Sequence, residues 1–115
     1  MIDFVIANTD TAVGRLGCEV AHAADIPVAK RDNEISQDIL DGDGTIFWGR
    51  EDNDTRDIAE KCHVYGRPIL VNPSRINEVK DWSQGMEILH IIGNEPEIPA
   101  SFKALIRSVL TDILV

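Results

Sequence analysis

Aromatic side chains make up only 5% of the chain, and there are just two cysteines, Cys18 and Cys62. Two thiols are too few for a disulfide framework, which argues against a small secreted scaffold. Bases are also short: 11 lysines and arginines face 20 aspartates and glutamates, a net charge of −9. Long-range attraction to DNA, RNA or an anionic lipid surface is therefore not expected. No apolar run approaches the roughly 20 residues that span a bilayer. No basic-then-apolar leader precedes Ile2, so the expected location is cytoplasmic. A G-x-G-x-x-G after the first apolar run, a G-x-x-x-x-G-K-[ST] loop and a nucleophile elbow are all missing, which excludes the standard dinucleotide, P-loop and serine-hydrolase readings.

What is present is an ordinary globular composition, 43% hydrophobic and 27% charged over 115 residues, enough for one domain with a real core. The central stretch is Asp43 to Asn72. Gly44-Thr45-Ile46-Phe47-Trp48-Gly49 reads as a short strand, and Arg50-Glu51-Asp52-Asn53 as a polar loop. A helix opening at Asp54-Thr55-Arg56-Asp57 runs to Gly66, with Ile58, Cys62 and Tyr65 on one face. Arg67 to Asn72 is a second strand, so the stretch is a βαβ unit.

Ahead of it, Ile2 to Ala7 reads as a strand and Asn8-Thr9-Asp10-Thr11 as capping sequence for a helix. Val13, Leu16, Gly17, Val20 and Ala24 share a face of that helix. Gly14 and Gly17 permit close approach to the sheet. Ile26 to Ala29 reads as a short strand, and Pro27 points to an edge or a strand start. In residues 30–42, Ile35, Ile39 and Leu40 line one short helix. Beyond the central unit, Ser74 is the expected cap of a helix with Ile76 and Val79 inward. Met86 to Ile92 is the last strand, and Phe102 to Ile113 form a strongly amphipathic helix. Alternation of about five strands with helices predicts a Rossmann-like three-layer α/β/α sandwich with a mainly parallel sheet, residues 1–115 forming a single domain.

In such a sheet the ligand sits at the carboxyl ends of the strands. The loops expected to converge there are Asn8–Thr11, Trp48–Arg56 and Gly93–Glu97, with Asn72–Arg75 as a fourth. Helix starts at Thr11 and Thr55 are expected to offer free N–H groups to a phosphate or carboxylate. Asn8, Thr9, Asp10, Thr11, Asp54, Thr55, Asn72, Gly93 and Asn94 are candidates to line the ligand. Arg50 or Arg56 would neutralise charge, and Trp48 with Gly49 would form a floor on which a base stacks. Each Asp or Thr at a helix start is also an ordinary cap, so the signal lies in the convergence of loops. A Cys₂His₂ zinc site from Cys18, His22, Cys62 and His63 is disfavoured, because Cys62 faces the sheet while Cys18 and His22 do not. Asp41-Gly42-Asp43-Gly44 begins like a calcium loop, but Thr45-Ile46 replace the next ligand and the required glycine. No metal and no cofactor are therefore assigned.

Three motifs recur in order with those of a known superfamily. Asp43-Gly44-Thr45-Ile46-Phe47-Trp48 is the counterpart of D-[AG]-T-L-I-L. Asp54-Thr55 through Gly66-Arg67-Pro68-Ile69-Leu70-Val71 matches G-T followed by [GK]-P-V-L-V. Leu89-His90-Ile91-Ile92-Gly93-Asn94-Glu95-Pro96 matches L-N-[VI]-A-G-[PN]-R-E. On these residues the chain, over about 43 to 114, resembles the Rossmann-like SLOG superfamily, and within it the molybdenum-carrier group most closely. The resemblance implies binding of a nucleotide-derived small molecule, such as an ADP-ribose-type signalling nucleotide, in sensing or sequestration related to phage or defence. It also implies a homo-oligomer. Catalytic relatives carry G-T-x-x-E, and aligning Thr55 with that threonine places Ile58 at the glutamate. The expectation is thus binding without catalysis. Alternatives are an N-glycosidic hydrolase or transferase using Asp10, Asp57 or Glu60, a molybdenum-cofactor carrier, and an interaction module presenting the acidic stretch from Asp32 to Asp57.

Overall fold

A computed structural model describes residues 1–31 and 35–115. The chain alternates β1 (Phe4–Ala7), α1 (Ala12–Ala23), β2 (Val28–Lys30), α2 (Ile35–Asp41), β3 (Gly44–Trp48), α3 (Asn53–Val64), β4 (Ile69–Val71), α4 (Ile76–Trp82), β5 (Ile88–Gly93) and α5 (Ala100–Leu114). The five strands form one all-parallel sheet in the order β2-β1-β5-β3-β4. Strands joined through crossover helices run in the same direction, and the helices they carry cover both faces of the sheet. This is the three-layer α/β sandwich expected from the alternation.

The side-chain alternation of the strands divides the core in two. Val5, Ala7, Ile46, Trp48, Leu89 and Ile91 face α1, α4 and α5, where they meet Val13, Leu16, Val79, Ile106 and Leu110. Phe47 and Ile92 face the other way, onto Ile39 of α2 and Ile58 and Cys62 of α3. Central strands β3 and β5 are buried on both sides, which is why their sequences read as nearly unbroken apolar runs. β2 lies at the sheet edge, with Pro27 just before it, as the proline required.

Several local expectations are corrected. α3 opens at Asn53 with Asp52 as its cap, one residue ahead of the expected start at Asp54, and Thr55 sits at the third helical position, completing a capping box. α4 has Arg75 as its N-cap residue with no side-chain capping bond, so Ser74 does not cap it, and Ile76 is 37% exposed. In α2, Leu40 turns outward while Asp38 is buried beside Ile39, because a polar partner on β5 lies beneath it. The beginning of the acidic stretch at Asp32, together with the rest of residues 32–34, lies outside the described residues.

The topology fixes where a crevice can form. From β1 the chain moves through α1 to the β2 edge, and from β3 it moves through α3 to the opposite edge, with β5 between them. The loops leaving β1 and β3 therefore diverge to opposite faces of the sheet, the switch point of an open α/β fold.

Candidate functional site

The loop after β3 is held by two asparagines from neighbouring strands. Asn72, just past β4, accepts from the Gly49 N–H at 2.9 Å and donates to the Gly49 carbonyl at 2.9 Å. Asn94, just past β5, accepts from the Arg50 N–H at 3.2 Å and donates to the Arg50 carbonyl at 2.8 Å. Each amide thus reads both polar groups of one residue, and the two peptides are clamped side by side. The geometry requires left-handed backbone at Asn72, with φ 49°, a conformation asparagine tolerates better than most residues. It also requires glycine at position 49, where φ is 156° and a Cβ would lie 2.1 Å from Asn94 Oδ1.

Thr55 closes the loop from below. Its hydroxyl donates to the Arg50 carbonyl at 2.5 Å, and its N–H donates to Asp52 Oδ1 at 3.2 Å. The Asp52 carboxyl is held below the ordinary carboxylate range, first by the Thr55 N–H, with the Thr55 hydroxyl, the Asp54 N–H and the Arg50 charge adding to it against partial desolvation.

The loop after β1 is equally self-contained. Asn8 Oδ1 accepts from the Asp10 N–H at 2.7 Å, and Thr11 Oγ1 caps α1 by accepting from the Gly14 N–H at 3.1 Å. The Ala12 N–H donates to the Glu95 carbonyl at 2.9 Å. Arg15 reaches back to the carbonyls of Thr9, at 3.0 Å, and Pro96, tying the β1 and β5 loops together. Arg50 and Glu95 form an ion pair at 2.9 Å across the edge. At Gly93 a Cβ would lie 2.8 Å from Val13 Cβ and 3.0 Å from the Trp48 carbonyl, so three elements meet there within van der Waals contact.

The expected residues are therefore brought to one edge, but many of their polar groups are already engaged. Asn8, Thr11, Thr55, Asn72 and Asn94 hold the loops, and the N–H groups of Ala12, Gly14 and Thr55 are satisfied within the chain. Of the N–H groups expected to be free at the helix starts of Thr11 and Thr55, these three are engaged within the chain. Asp10, Arg50, Asp54 and Arg56 are exposed on this edge, with Thr9 and Gly49 half-buried beside them. Trp48 is fully buried, and its indole N–H donates to the Pro73 carbonyl at 2.9 Å. It supports the edge from within the core and offers no face for a base, which corrects the stacking role.

The carboxylates of the enzymatic alternative are not assembled. Asp57 and Glu60 line a concavity of about 270 Å³ on the outer side of α3, with Lys61, Val64 and Tyr65. Asp10 stands on the loop into α1, which covers the opposite face. Ile58 is buried in the second core against the sheet. Cys18 and Cys62 belong to helices on opposite faces, and no group of three His, Cys, Asp or Glu suited to a metal occurs among the described residues.

Two polar features escaped the pattern reading. Asp43 accepts from the N–H groups of Glu87 and Ile88 at 2.8 and 2.9 Å, fastening the start of β5 to that of β3. A second network runs through the α2–α3 face. His90 is paired directly opposite Thr45 across β5 and β3, with Nδ1 3.1 Å from the Thr45 hydroxyl. Asp38 stands 4.0 Å from His90 Nε2, and Arg31 reaches Asp38 at 3.1 Å and Asp41 at 2.5 Å. Burial pushes the His90 pKa down to about 4, and the Arg31 charge adds to the shift. The signal was a histidine within the apolar run Ile88-Leu89-His90-Ile91-Ile92.

No family model matches the sequence, and no curated protein sequence matches it either. Among solved structures the chain is similar to a protein from Syntrophus aciditrophicus SB named "putative molybdenum carrier protein". The likeness has a TM-score of 0.78 over 99% of this chain and 96% of that one, at 15% sequence identity. At that identity the shared property is the fold.

Proposed function

We propose that this protein binds a nucleotide-derived small molecule, without turning it over, at the carboxyl edge of its sheet between the β1, β3 and β5 loops. The observation that carries the reading is the double asparagine clamp on Gly49 and Arg50. Left-handed backbone and half-buried side-chain amides meet at the switch point of the fold, where a fixed loop geometry lowers the ordering cost of binding. Arg56 supplies positive charge for a phosphate, as does Arg50 where the phosphate takes the place of its exposed pairing with Glu95. Asp10 and Asp54 are exposed acceptors for ribose hydroxyls. Catalysis is not part of the proposal, because the position aligned with the reacting glutamate of catalytic relatives is Ile58, which faces the core.

Calorimetric titration with ADP-ribose tests the reading. Saturable heat is expected, weakened in Arg50→Ala, with the ligand recovered intact after prolonged incubation. Absence of heat with ADP-ribose and with simple nucleotides at high concentration would contradict it, and release of free base would favour the enzymatic alternative. Carriage of a molybdenum cofactor is the second reading, favoured by the likeness to the Syntrophus protein; molybdenum in the untagged protein as purified would support it. Pairing into a homo-oligomer belongs to the same proposal and is read by mass under native conditions.

A further inference from the structure

Independently of the sheet edge, we infer that the groove between α1 and α5 is a binding site for a small dianionic oxyanion of the phosphate type. The groove encloses about 200 Å³ and is lined by Ala12, Arg15, Leu16, Glu19, Lys103 and Arg107. In a chain with nearly twice as many acids as bases, three cations and one acid line this one concavity. They come as two pairs four residues apart, Arg15 with Glu19 on α1 and Lys103 with Arg107 on α5. Such spacing sets both members of a pair on one helix face. The two helices follow the neighbouring parallel strands β1 and β5, so their amino-terminal halves lie side by side. Ala12 is the first residue of α1 and Lys103 the fourth of α5, which places the positive ends of both helix dipoles at the same end of the groove.

The cations are held in place by two kinds of contact. Arg15 is oriented by the carbonyls of Thr9 and Pro96, neutral acceptors that fix the guanidinium without cancelling its charge, which only the exposed Glu97 offsets. Arg107 is paired through Nε and Nη2 with Glu19. What bridges Arg15 and Lys103 is the Glu97 carboxylate, 3.6 Å from one and 3.7 Å from the other. Its side chain is 78% exposed, and both contacts are long for an ion pair. Exposed pairs of this kind contribute little and exchange readily with water. Glu97 therefore stands where an anion would stand, on a side chain free to swing away. With it displaced, Arg15, Lys103 and Arg107 against Glu19 leave a charge of +2 at the groove, which a dianion neutralises.

Titration of the full chain with inorganic phosphate, followed by amide chemical shifts against sodium chloride at matched ionic strength, tests the site. The expected result is saturable shifts at the starts of α1 and α5, absent with chloride. Apparent affinity should rise about threefold or more in Glu97→Gln, which removes the competing carboxylate, and fall about tenfold in Lys103→Ala, as expected for one lost charged contact. Both positions lie on the surface, and unchanged dispersion of the remaining signals shows that the variants fold. Linear shifts equal to those with chloride, or an affinity unmoved by Glu97→Gln, would overturn the inference. So would saturable shifts confined to residues 49–56, which would instead place phosphate at the sheet edge.

Discussion

Replacing Gly49 with alanine puts the asparagine clamp under a direct load. The new Cβ would sit 2.1 Å from Asn94 Oδ1, so the amide must withdraw and its two bonds to Arg50 are lost. Each such bond has a net value of about 0.5–1.5 kcal/mol, giving about 1–3 kcal/mol for the pair. Alanine at a φ of 156° adds strain of about 1 kcal/mol or more. Gly49→Ala should therefore destabilise by about 2–4 kcal/mol in urea titration, with the slope of the transition unchanged. Asn94→Ala alone loses only the bonds, about 1–3 kcal/mol. In the double variant the obstructing amide is gone, and only the strain of residue 49 remains to be added. The two substitutions should thus fall short of additivity by about 1–3 kcal/mol. Additivity within about 0.5 kcal/mol would refute the clamp, because it would mean that residue 49 and Asn94 do not share an interaction.

His90 should make stability depend on pH in a defined window. Its folded pKa of about 4 lies below the ordinary value of 6.5, so the unfolded chain binds more protons between the two. The contribution of neutral His90 is complete above pH 6.5 and is lost progressively as pH falls towards 4, to a total of about 3 kcal/mol. Subtracting the pH profile of His90→Asn should isolate this component; a wild-type profile parallel to the variant's would contradict it. Asp43→Ala should leave the Glu87 and Ile88 N–H groups at the start of β5 without their acceptor, costing about 1–3 kcal/mol. Faster hydrogen exchange of the Glu87 and Ile88 amides should accompany that loss, and unchanged exchange would show that the carboxylate does not fasten the strand.

Much of the fold was legible because the central strands and the last helix carry strong periodicity. The Gly44–Trp48 run, the Ile58, Cys62, Tyr65 face and the Phe102–Ile113 stripe each admit one structure, and alternation then dictates a parallel sheet with helices on both faces. Strand order was not legible, since no local pattern distinguishes β5 between β1 and β3 from β5 at an edge. Caps failed where several candidates were adjacent: Asp52, Asn53 and Asp54 can all cap, and the choice depends on which one meets Thr55. Ile76 was misplaced because a seven-residue helix presents too few residues to define its buried face.

The gathering of the candidate residues at one edge of the sheet was legible, and their hydrogen-bonding roles were not. Asn72 and Asn94 were placed correctly at the carboxyl edge by following two strands. That their amides close on Gly49 and Arg50 depends on the β5-β3-β4 adjacency. Trp48 alternates onto the α4 side of the sheet, where the Pro73 carbonyl awaits its N–H, and no one-dimensional pattern distinguishes that from an exposed platform. Asp38 and His90 lie 52 positions apart in the chain, and only the packing of α2 over β5 brings them together.

The most direct test of the binding edge is native mass spectrometry of the untagged protein as purified, followed by denaturation and identification of whatever is released. The account predicts an added mass carried by the folded protein and lost on unfolding, identified as a phosphorylated nucleoside derivative. Protein mass alone in every charge state and every oligomer, from cells in which the protein is active, would contradict it.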